Sequence, residues 1–78
     1  MHMNIQHYIC IDPMVMLGKP TIRGTRITVE LVLRKLAEGA TIEDLVAAYP
    51  PLSPDSIHAA ITYAADTLAH EELVLASA

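Results

Sequence analysis

The chain has 78 residues, enough for one small domain, with 53% hydrophobic residues but only three aromatic side chains, all Tyr, so its core is built from Leu, Ile, Val and Ala. The formal net charge is −4 and is split: residues 1–36 hold all five Lys and Arg against two acids, Asp12 and Glu30, while residues 37–78 hold seven acids and no Lys or Arg. No apolar run is long enough to span a bilayer, no basic-then-apolar leader is present, and a single Cys10 cannot close an internal disulfide, so a reducing cytoplasmic setting is expected.

Ile5, His7, Ile9 and Ile11 alternate with Gln6, Tyr8, Cys10 and Asp12, the period of a short strand, which Asp12-Pro13 ends. Met14 to Leu17 is apolar and fits no single period. The run Gly18-Lys19-Pro20-Thr21-Ile22-Arg23-Gly24-Thr25-Arg26-Ile27 follows, with Thr21 to Arg23 expected as a second short strand. Gly18, Pro20, Gly24 and Thr25 set the backbone of this run, because Gly takes positive φ without strain and Pro fixes φ near −65°. Two short strands alone are marginal in water. They are expected to pair with another chain or lie on the helices, and an exposed N-terminal edge suits a homodimer formed through that strand.

From Val29 the period becomes helical: Val29, Val32, Leu33 and Leu36 share a face, Thr28 fits an N-cap and Gly39 a left-handed stop. Thr41 with Asp44 opens a second helix as a capping box, with Ile42, Leu45, Val46 and Tyr49 inward, and Pro50-Pro51 ends it. Ser53-Pro54 starts a third helix whose expected apolar stripe is Ile57, Ile61, Ala64 and Leu68. The reading is a mainly α single domain over 1–78: a strand and loop arm at 5–27, a three-helix bundle at 28–70 and a tail at 71–78. The order of helix, Gly turn, short helix, short turn and longer helix is that of a homeodomain-like, helix-turn-helix bundle.

No catalytic constellation emerges. His58 and His70 are twelve apart, no His-x-x-x-His or Cys pair exists, and a metal site needs three or four convergent ligands. Cys10 lies in an apolar strand, as an inert small hydrophobe does. Gly18-Lys19 is no phosphate-binding loop, since the upstream Gly is missing and Pro20 follows the Lys. No enzyme activity, cofactor or metal is expected. The candidate binding residues are Lys19, Arg23, Arg26, Arg34 and Lys35, which could meet phosphates or a partner's carboxylates. Against that stand local roles: Arg34 and Lys35 as a solvated helix face, Arg23 and Arg26 pinning the loop, with Arg26 pairing to Glu30 or Asp12. The third helix offers Asp55, Ser56, His58, Thr62 and Asp66 outward, a poor set for reading a DNA groove.

The run Gly-Lys-Pro-x-Ile-Arg-Gly-Thr-Arg-Ile resembles the signature of domain-of-unknown-function family 433, small bacterial proteins often encoded beside a PIN-like nuclease. The resemblance continues through Leu36-Ala37-Glu38-Gly39, Tyr49-Pro50, Leu52, Ile57, Ala59, Ala60 and Tyr63-Ala64-Ala65-Asp66, covering residues 9–68. It implies a helix-turn-helix-like bundle and an antitoxin that neutralises a PIN-like toxin and binds its own operator DNA. The alternative is a helix-turn-helix DNA-binding regulator with no toxin.

Overall fold

The structure, a computed structural model, describes residues 4–77, with side-chain placement through residue 71. It is mainly helical. In chain order come α1 (Ile5–Tyr8), β1 (Ile9–Cys10), β2 (Thr21–Ile22), α2 (Val29–Ala37), α3 (Ile42–Ala48) and α4 (Pro54–Ser77), with a 3₁₀ turn at Met16–Gly18.

The expected N-terminal strand from Ile5 to Asp12 shrinks to two residues. Ile5–Tyr8 form one helical turn, closed by the Ile9 N–H on the Ile5 carbonyl. Period two was the wrong guide here because α1 is packed onto α4, and that tertiary contact outweighs local β preference. β1 pairs antiparallel with β2, Ile9 opposite Ile22 and Cys10 opposite Thr21. The two short strands therefore satisfy each other within one chain, and the edge assigned to dimer formation through the N-terminal strand is only two residues long.

The helix punctuation matches the sequence closely. Thr28 caps α2 by accepting from the Leu31 N–H at 3.0 Å. At its end Gly39 has φ +104°, and the Ala40 N–H reaches the Lys35 carbonyl at 3.0 Å while the Gly39 N–H reaches Leu36. This is a Schellman closure, which needs a left-handed residue where Gly sits. Thr41 and Asp44 exchange side-chain-to-backbone bonds of 3.0 and 2.9 Å, a complete capping box. Ser53 and Ser56 do the same at the start of α4, at 3.1 and 2.9 Å.

The core gathers Ile9, Ile22, Val29, Val32, Leu45, Leu52, Ile57, Ala59 and Ala60 from every element after α1. α4 packs against α1, β1, α2 and α3. Its expected stripe needs correction. Ile57 is fully buried, but Ile61 is 39% and Leu68 59% exposed, while Ala59 and Ala60 are fully buried. Small side chains let the elements packed on α4 approach it closely, and Ser56, expected to face outward, is buried as well. The expected break near residue 70 is absent as well: α4 runs unbroken to Ser77. None of its described side chains from residue 65 onward is even half-buried.

Candidate functional site

The segment from Gly18 to Ile27 is a compact loop whose shape follows from its residue types. Gly18 and Gly24 both have φ +79°. A Cβ at Gly24 would meet nothing within 4 Å, so the backbone conformation rather than space calls for Gly there. The turn Ile22–Ile27 is closed four times. The Ile22 N–H donates to the Ile27 carbonyl at 2.8 Å and the Thr25 N–H to Ile22 at 3.0 Å. The Thr25 hydroxyl donates to the Ile22 carbonyl at 2.8 Å and accepts from the Ile27 N–H at 2.9 Å. The Pro20 carbonyl accepts from the Val29 N–H at 2.9 Å, tying the loop to the first turn of α2.

This loop disperses the five cations. Arg23 turns back on the N-terminus: its guanidinium donates to the Gln6 carbonyl at 2.7 Å and the Ile9 carbonyl at 3.3 Å. Lys19 and Arg34 converge on Glu30 at 3.5 and 3.0 Å. The hydrogen bond from Arg34, then the charge of Lys19, holds the Glu30 carboxyl below its ordinary range. Lys35 lies 3.7 Å from Glu38. All three ion pairs are solvent-exposed, where such pairs contribute little stability. Arg26 is exposed and makes no hydrogen bond or ion pair with any described residue. The expected pairing of Arg26 with Glu30 or Asp12 is therefore not made. Glu30 is taken by Lys19 and Arg34, and Asp12 accepts from the Met14 N–H at 2.9 Å.

Two surfaces meet at this loop. The first is a cleft of about 470 Å³ holding Cys10, Asp12, Val15, Arg23 and Arg26. The chain between Asp12 and Gly18 that borders it is strained and apolar. Met16 and Leu17 have φ of +49° and +59°, rare for non-glycine residues. Met14 is 89% and Leu17 94% exposed. Sequence reasoning left Met14 to Leu17 unassigned because exposure of consecutive apolar residues has no periodic signature. The second surface is an apolar groove of about 550 Å³ between α2 and α4, with Lys19, Glu30 and Arg34 at its rim. The candidate cations thus do not form one patch: Arg23 and Arg26 belong to the cleft, Lys19 and Arg34 to the groove.

Among the described residues no three of His, Cys, Asp and Glu come together as a metal site would require, and no helix is long and apolar enough to cross a membrane.

Comparison with protein families matches residues 9–64 to the model described as "Protein of unknown function (DUF433)". A solved structure, the crystal structure of a DUF433 member protein from Anabaena variabilis ATCC 29413, superposes with a TM-score of 0.77 at 32% sequence identity. The similarity covers 92% of this chain and 71% of that one. No curated protein matches.

Proposed function

The chain belongs to the DUF433 family of proteins of unknown function, and on that premise we propose that it is the antitoxin of a type II toxin–antitoxin pair, binding and neutralising a PIN-like nuclease. The observation that carries this reading is the juxtaposition at the cleft. An exposed arginine with no partner among the described residues, Arg26, shares the cleft with Val15, which belongs to a turn that has positive φ at Met16 and Leu17 and exposes Met14 and Leu17. Met and Arg are enriched in protein interfaces, and exposed apolar side chains in this number mark a protein partner better than a phosphate backbone. A nuclease that holds its metal ions with carboxylates presents the matching acidic surface. A guanidinium entering there pairs with a carboxylate bidentately, competing with the metal for its ligands. The loop's internal bonds fix the backbone on either side of Arg26 in advance, so less backbone entropy is lost on docking.

Operator binding is a further part of this proposal and would be shared by the complex. The outward set on α3 and α4 includes Glu43, Asp44, Asp55 and Asp66, all exposed. The Thr62 hydroxyl is already donated to the His58 carbonyl at 2.9 Å. These features favour the antitoxin over a groove-reading regulator that acts without a toxin.

The test is co-expression with a PIN-like nuclease, comparing the chain with Arg26→Ala. The variant should lose neutralisation, with nuclease inhibition weakened at least about tenfold, as removing one partner of a docked charge pair does. Its fold should be unaffected. Full neutralisation by Arg26→Ala would remove the reading.

A further inference from the structure

The groove between α2 and α4 lies apart from the arginine cleft, and its occupant can be argued from the chain itself. Its apolar lining includes Val29, Leu33, Ala64 and Leu68, with Lys19 and Arg34 at the rim. Glu30 is shared between those two cations, which leaves the rim with an excess of positive charge. α4 forms one wall and then continues. The helix is 24 residues long, about 36 Å at 1.5 Å per residue, against a longest molecular extent of 43 Å. From residue 65 to residue 71 every side chain is exposed. An isolated helical segment of about 12 residues is marginal in water, and these described turns gain little from burial within the chain.

We propose that the groove is closed by the α4 of a second copy of this chain, in a two-fold dimer in which the two α4 helices cross. Charge complementarity selects this occupant. On the same face of α4 as Ala64 and Leu68, Glu71 lies one turn further on, and the chain has no Lys or Arg after Lys35, so this face is acidic where the groove rim is basic. One patch contains both the groove and Glu71, so a single isologous contact covers both on each copy. Leu68, 59% exposed in the isolated chain, becomes a central apolar contact. This inference goes beyond the antitoxin reading and does not depend on it, because it concerns the purified chain alone.

Sedimentation equilibrium or light scattering on the full chain, at tens of micromolar, tests it with the wild type, Leu68→Lys and the pair Lys19→Glu with Arg34→Glu. The expected mass is about 17 kDa, twice the 8.5 kDa of one chain. Leu68→Lys should weaken the dimer at least about tenfold in Kd, a loss typical of a central interface residue. The charge-reversed pair should weaken it too, more at low salt than at high. Leu68 is exposed within the single chain, so helical circular dichroism and the melting transition of the monomeric core should persist in the variant. A wild-type mass of one chain overturns the proposal, as does a Leu68→Lys dimer of unchanged affinity. If the chain alone is monomeric and Leu68→Lys instead weakens the nuclease complex, the groove belongs to the nuclease and the dimer is excluded.

Discussion

Arg23 and Arg26 are three positions apart in the same loop and have different work. Arg23 donates to the carbonyls of Gln6 and Ile9, groups that α1 and β1 leave facing the loop. It is a clamp between the N-terminal turn and the motif. Both bonds leave one guanidinium nitrogen, Nη2, so a single side-chain atom ties the two segments together. Arg23→Ala should therefore destabilise the fold by about 1–2 kcal/mol, the worth of two partly exposed bonds from a charged donor. Denaturant unfolding measures this directly. Arg26→Ala, tested in the same way, should shift the midpoint hardly at all, because its side chain holds nothing within the chain. The contrast between the two variants separates the structural arginine from the one proposed for the interface, and spacing could not have done so. Which carbonyls lie under Arg23 depends on α1 being a helical turn rather than the strand its alternation suggests.

Elements begin and end where single side chains satisfy backbone groups, and these are short-range events. Thr28, Gly39, Thr41 with Asp44, and Ser53 with Pro54 all act within a few residues of themselves, so their roles were legible from the order of residues. Thr41→Ala removes one half of the capping box and leaves the Asp44 N–H without its acceptor. The expected cost is about 1 kcal/mol, read as a lower melting temperature with native circular dichroism retained. The buried face of α4 was less legible. Its stripe was placed on Ile57, Ile61, Ala64 and Leu68 by hydrophobicity, yet Ala59 and Ala60 are buried and Ile61 and Leu68 are exposed. Alanine carries a weak hydrophobic signal and a strong steric one. It marks where α1 and β1 come close, and that is a property of the neighbours as much as of the helix.

Across the whole molecule the charge segregation takes a form that counting residues does not reveal. Three of the five cations are engaged by Glu30 and Glu38 on or beside α2, so the basic N-terminal half presents no continuous basic face, while the acidic half extends along α4. A chain arranged this way meets an acidic protein surface at the cleft more readily than a long stretch of phosphates. For the operator part of the proposal, a gel shift of the nuclease complex with the DNA upstream of its genes should show log affinity falling with log salt by about 0.9 for each phosphate neutralised. Weak binding that is flat with salt would remove the DNA part of the proposal.

The order of residues alone determined the bounds of α2 and α3 and the start of α4, the aliphatic core composition and the irregular glycine-and-proline loop, because capping, helical period and backbone freedom act over one or two turns of chain. It also carried the family resemblance, which the match over residues 9–64 and the Anabaena variabilis structure bear out. Tertiary structure decided the rest. It folded Ile5–Tyr8 into a helix, paired β1 with β2 inside one chain, divided four of the five cations between a cleft and a groove, and left the α4 side chains from residue 65 to residue 71 exposed. Those outcomes depend on which surfaces meet, and contacts between residues far apart in the chain leave no periodic trace in either partner.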